Sequence, residues 1–108
     1  MYMDKRTEEK EAEKIEIERK SIKALKERYA NIKSVEIKDS GFDKKTGAFD
    51  VTVKMTNKEN DSVTFTFPFW IKEESLGAIL KVDKSVQIKG ATTDRIHVIY
   101  SNNEEGEI

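Results

Sequence analysis

Residues Ala48 to Trp70 read AFDVTVKMTNKENDSVTFTFPFW, and they decide the fold. Phe49, Val51, Val53 and Met55 alternate with Asp50, Thr52, Lys54 and Thr56. After NKEND the alternation resumes, with Val63, Phe65, Phe67 and Phe69 set against Ser62, Thr64 and Thr66. A period of two in β-branched and aromatic residues on either side of a polar break predicts a β-hairpin with one buried face. If Lys58, Glu59 and Asn60 make a three-residue loop with Asn60 left-handed, Met55 falls opposite Val63. Val53 then faces Phe65, Val51 faces Phe67, and Phe49 faces Phe69. A slip of one residue would set this apolar row against threonines, so the register is well specified.

Working back toward the N-terminus, Phe42 to Phe49 holds the turn DKKTG, in which Gly47 supplies a positive φ. A loop over residues 44–47 puts Phe42 opposite Phe49. Continued unchanged, that register would set Ile37 against Lys54. One extra residue, a β-bulge expected at Ser40-Gly41, instead gives Ile37 opposite Val53 and Val35 opposite Met55. The first strand therefore spans Ile32 to Lys38. Before it, Ala12, Ile15, Ile22, Leu25, Tyr29 and Ala30 fall within about a third of a helical wheel. A helix is expected from Glu8 to Tyr29, capped by Asn31. Ile15, Ile22 and Tyr29 also keep a heptad spacing, but Glu11 and Glu18 interrupt the seam, which favours packing on a sheet over a coiled coil. Asp4 to Lys20 carries six basic and seven acidic residues with few apolar ones. Residues 1–11 are accordingly expected to form a stalk or helix extension.

Toward the C-terminus, Pro68 suits an edge strand or a strand end. Ile71 to Asp83 reads as a short helix or an irregular crossover, with Leu76, Ile79 and Leu80 at helical spacing and Gly77 against it. KSVQIKG predicts a short strand through Val86 and Ile88, and Arg95 to Ser101 the last one, with Ile96, Val98 and Tyr100 inward. Residues 102–108 read as a polar tail. The expected fold class is α+β: an N-terminal amphipathic helix on one face of a curved antiparallel sheet of four to five strands, one domain over residues 12–101.

Charge and composition narrow the function. Twenty basic and twenty-one acidic residues nearly cancel, which disfavours a nucleic-acid binder. The absence of cysteine rules out disulfides and thiolate sites. No apolar run reaches the ~18 residues of a membrane span. His97 is the one histidine, and in a strand it reads as a partly exposed surface residue. DKKTGAFD lacks the alternating oxygen ligands and closing glutamate of a calcium loop. SGFDKKTG joins strand to strand and lacks the spacing of a phosphate loop. Asn60-Asp61-Ser62 matches a glycosylation sequon, which matters only in a source that glycosylates secreted proteins. No catalytic, cofactor or metal residue emerges, and no cofactor is expected.

Binding residues are the remaining candidates. Trp70 has the parity of the solvated face and follows Pro68 and Phe69, so these three mark an aromatic end at which a partner could stack. The bland alternative puts Trp70 in a satellite cluster under the crossover.

The Lys/Glu-rich helix, the IKSVEIKDSGFDKKTGAFDVTVKMTN stretch and the closing RIHVIYSNNEEGEI together resemble small membrane-anchored or lipoprotein-type proteins of unknown function from Gram-positive bacteria. Their helix on a curved antiparallel sheet is similar to the cystatin-like arrangement. The resemblance implies an extracytoplasmic domain tethered by a segment outside this chain; a start of Met1-Tyr2-Met3 followed by a charged run fits that and fits a natural start equally well, which leaves a cytoplasmic domain as the alternative. It carries over no functional residue, and without a Gln-x-Val-x-Gly run it gives no ground for protease inhibition. The function expected is a non-enzymatic domain binding a protein, peptide or cell-envelope component. The alternative is a small ligand-binding or enzymatic domain with a pocket between helix and sheet. That alternative needs convergent ionisable groups on the inward parity, which is almost wholly Val, Ile and Phe.

Overall fold

The helix α1, Lys5–Arg28, is followed by strands β1 (Ile32–Phe42), β2 (Phe49–Asn57), β3 (Ser62–Trp70), β4 (Ser75–Leu76), β5 (His97–Ile99) and β6 (Glu105–Glu107). The computed structural model describes the backbone of residues 5–79 and 81–108 and the side chains from Glu13 onward, Leu80 excepted. Expectations for Met1 to Asp4, for the side chains of the proposed stalk, and for Ala12 as the start of the helix stripe lie outside the described residues. The six strands form one sheet in the order β4-β3-β2-β1-β5-β6. The fold is α+β, with the helix packed on one face of the sheet.

The central hairpin has the register its alternation requires. Met55 pairs with Val63, Val53 with Phe65, Val51 with Phe67 and Phe49 with Phe69. Asn60 is left-handed at φ 67° and Gly47 at φ 77°. Asn57 is buried and holds the hairpin loop, its Oδ1 accepting the amides of Glu59 and Asp61 at 3.0 and 2.9 Å. Between β1 and β2, Val35 pairs with Met55, Ile37 with Val53 and Phe42 with Phe49. The bulge that makes this possible lies at Lys38, two residues before the expected Ser40-Gly41, and a second irregularity falls at Lys33. A bulge at Ser40-Gly41 would have turned the Asp39 carboxylate onto the core side opposite Val51. With Lys38 as the extra residue, Ser40 pairs with Val51 and Asp39 stays outside.

The C-terminal third departs most from expectation. Ile71 to Glu74 is a turn and Ser75–Leu76 a two-residue strand on β3, so the helical option for this stretch fails. Gly77 N donates to Pro68 O at 2.9 Å, so the proline's missing N–H falls on the side where the ladder ends. KSVQIKG is not a strand. Its backbone serves the helix end instead, where carbonyls lack intrahelical donors. Ala30 N donates to Ile88 O at 2.8 Å, and Gly90 N and Thr92 N donate to Arg28 O and Lys26 O at 3.1 and 2.7 Å. Asn31, left-handed at φ 63°, ends the helix as expected. Asp83 braces this segment through Ser85, whose hydrogen bonds hold the Asp83 carboxyl below its usual range.

The last apolar strand is short, and it pairs with β1 in parallel, Val35 beside Val98. The sheet is therefore mixed, with six strands where four to five antiparallel ones were expected. The supposed polar tail supplies β6, antiparallel to β5. Ile22 and Leu25 from the helix, with Tyr29 just past its end, cover Val35, Val51, Val53, Phe65, Phe67 and Val98. Ile22 and Tyr29 are thus committed to this core, which leaves the heptad seam no free face.

Candidate functional site

The face of the sheet away from the helix has no element over it among the described residues, and its side chains follow from register. Crossing it from β1 to β4 at the level of Pro68, the outward positions are Gly41, Asp50, Pro68 and Gly77. The next level holds Asp39, Thr52 and Thr66, the last two hydroxyls bonded to each other at 2.8 Å. Beyond them lie Glu36, Lys54 and Thr64, then Ser34, Thr56 and Ser62. Such opposed hydroxyls and unlike charges are ordinary partners across strands.

Trp70 ends β3 on this face and is 36% exposed. A Cβ placed on Gly77 would stand 2.6 Å from Pro68 Cγ and 3.1 Å from Trp70 Nε1. The pyrrolidine ring and the indole therefore occupy the space that the glycine leaves empty. This settles where each expected binding residue sits. Trp70 presents a third of its surface, Pro68 is half-buried beside it, and Phe69 is fully buried on the opposite face. Phe69 can support the end of the sheet but has no surface to offer a partner. Ile71, next in the chain, is also exposed. We expect Gly77→Ala to push the indole outward, raising the acrylamide quenching of Trp70 fluorescence, at a cost of about 1–3 kcal/mol for overpacking. Unchanged quenching would mean that Gly77 does not set the position of the indole.

Two features escaped the sequence reading. Phe42 has the core parity, pairing with Phe49, yet is 57% exposed at the end of β1. Beside it a depression of about 380 Å³ opens between Asp39, Gly41, Asp43, Lys44, Asp50 and Thr52. The second feature is Glu18, completely buried in the helix-sheet interface. Its carboxylate accepts Ser40 Oγ and Ser101 Oγ at 2.6 Å each and Ser101 N at 3.1 Å. The adjoining Tyr100 hydroxyl is pushed above its usual pKa, chiefly by burial. Spacing alone carried a signal for Glu18, which shares a stripe with Ile15, Ile22 and Leu25, but its charge argued against it.

His97 is exposed, with Nε2 2.9 Å from Glu105 Oε1 on β6. No group of three His, Asp or Glu side chains converges as metal ligands among the described residues. No helix among them is long and apolar enough to cross a membrane. Comparison with known families, curated proteins and solved structures finds no match.

Proposed function

We propose that this chain is a non-enzymatic binding domain that takes up a protein, peptide or cell-envelope component at the Trp70 end of its open sheet face. Its place outside the cytoplasmic membrane, like that of the tethered proteins it resembles, is part of the same reading. The observation that carries it is the exposed indole on the outward face, held by Pro68 and Gly77 rather than by the core. A large amphipathic ring kept partly wet is the side-chain type that most often anchors a protein contact.

The sheet edges are weaker candidates. On one side β4 offers two residues, and on the other β6 carries Glu105 and Glu107, both features that blunt edge-to-edge pairing. For the enzymatic alternative, the buried carboxylate at the helix-sheet interface among the described residues is Glu18, and it already receives three hydrogen bonds.

The test is a paired one. Trp70→Ala is expected to weaken association with an envelope partner roughly thirtyfold, the effect of losing a central anchor. Its unfolding free energy should fall by no more than about 1–2 kcal/mol, since the ring is not fully buried. Acrylamide should quench the free domain's tryptophan fluorescence, and bound partner should protect it. A shielded indole in the free domain, together with a mutant that unfolds, would return Trp70 to a structural role.

A further inference from the structure

The level of the sheet next to Trp70 differs from the others in side-chain height. Gly41, Pro68 and Gly77 present either no side chain or a short ring, and Asp50 alone rises among them. Trp70 stands on one side of this level and the hydroxyls of Thr52 and Thr66 on the other. The result is a trough running across three strands, β1 to β3, and ending against the indole, which with the Pro68 ring fills the space over Gly77. At the usual strand spacing it is about 10 Å long, the reach of roughly three extended residues. A Cβ added at Gly41 would meet nothing within 4 Å, so that end of the floor is open. There the trough widens into the depression beside Phe42.

Charge is unequal along it. Asp39, Asp43 and Asp50 surround the Gly41 end, with Lys44 the cation at the rim. Asp39 and Asp43 each accept a neighbouring backbone amide at 2.9 Å. Among the described residues none of the three carboxylates forms an ion pair, although Lys54, Lys38 and Lys58 pair or face acids elsewhere on the surface.

We infer that this trough binds an extended basic peptide segment, with one cationic side chain among Asp39, Asp43 and Asp50 and another group packed on the indole of Trp70. The inference rests on the binding-domain reading above and names its ligand class. An arginine or lysine satisfies both ends, because the carboxylates take its charge and the indole takes either its cation or its methylene stem. The floor of short side chains admits a peptide backbone lying across the strands. A neutral saccharide could also stack on Trp70, but it would leave the three aspartates without a countercharge.

The probe is a blocked hexapeptide alternating alanine and arginine, titrated into the isotope-labelled chain and followed through its amide resonances. Its glutamate counterpart and chitopentaose serve as the other arms. The arginine peptide should shift Gly41, Asp50, Gly77 and the Trp70 indole N–H together, and binding should weaken with salt. Asp39→Asn with Asp50→Asn, both outside the core, should weaken it roughly tenfold, and Trp70→Leu roughly fivefold, the scale of one cation–π contact.

The second acidic surface, Glu104, Glu105 and Glu107, is an internal control. Shifts spread over it as strongly as over the trough would overturn the proposal as mere charge attraction. Chitopentaose moving the trough resonances while the arginine peptide does not would overturn the basic ligand yet keep the binding domain. If none of the three probes moves the trough and Trp70→Ala leaves partner association intact, both readings fall.

Discussion

Phe65→Ala is expected to destabilise the chain by about 3–5 kcal/mol, the usual cost of emptying a large aromatic site in a core. Thr64→Ala, one residue away, should cost under about 1 kcal/mol. The contrast comes from the pleat. Phe65 is buried opposite Val53, and its ring meets Tyr29 edge-on, with centroids 6.0 Å apart and planes at 77°. Phe67 lies 6.0 Å away on its other side. Losing the Phe65 ring therefore removes the edge-on contact between the central hairpin and Tyr29, just past the end of the helix, and leaves a cavity in the core. Thr64 is exposed and faces Lys54 across the ladder. Denaturant unfolding of the two variants checks this, and equal losses would mean that the two faces of the hairpin have been exchanged.

That contrast is legible in the sequence because the hairpin is a local problem. The 2-residue period of Phe49 to Phe69 and a loop that closes on Asn60 leave one register with every apolar residue on one side. Lys38 shows where such reasoning stops. The alternation demanded an extra residue somewhere in β1, and glycine made Ser40-Gly41 the cheap choice. With the bulge at Lys38, Ser40 lies on the inward side, where its hydroxyl meets Glu18, a partner remote in sequence that periodicity in β1 does not reveal. The same holds at the C-terminus. Val98 and Ile96 have inward parity whether their strand pairs parallel or antiparallel, so periodicity cannot choose the neighbour. β6 reads EGE and has no apolar alternation; it pairs because β5 offers an edge. Val86 to Gly90 looked like a strand because Val86 and Ile88 alternate, but the end of the helix takes its backbone instead, Ile88 O accepting from Ala30 N and Gly90 N donating to Arg28 O.

The candidate site divides along the same line. Parity placed Trp70 outward, where it lies, and set Phe69 in the apolar row, where its burial removes it from the aromatic end expected to meet a partner. The trough was not legible, because it arises where Gly41 and Gly77, 36 positions apart in the chain, come to one level of the sheet on either side of Pro68. Gly77 registered in the sequence only as an argument against a helix. Its role as the floor under an indole depends on β4 turning back along β3, which a two-residue strand does not announce.

Glu18 is where the expected charge pattern failed most completely, and its replacement should be costly. It sits on the helix stripe between Ile15 and Ile22, which points its carboxylate into the interface. Three donors from two separate strands' ends converge there, Ser40 on β1 and the hydroxyl and amide of Ser101 just beyond β5. Hydrogen bonds to an ionised acceptor contribute about 1.5–3 kcal/mol each before the cost of burying the charge is set against them. The deletion is less ambiguous than the net value, because Glu18→Ala deprives three donors of their acceptor and opens a cavity. A loss of about 3–4 kcal/mol is expected. Glu18→Gln keeps the shape and one acceptor oxygen, so it should lose less. The decisive comparison is Glu18→Leu alone and combined with Ser40→Ala and Ser101→Ala. If the carboxylate matters through those hydroxyls, removing them should recover part of the loss, a coupling of about 1–3 kcal/mol in a mutant cycle. Strict additivity, or a Glu18→Ala variant no less stable than one altered at the exposed Glu16, would show that the helix is located on the sheet by its apolar stripe alone. With the coupling present, the carboxylate acts as the register pin. It fixes how far the helix lies along the sheet, holds Ser40 inward, and thereby keeps Asp39 on the outer face beside the trough.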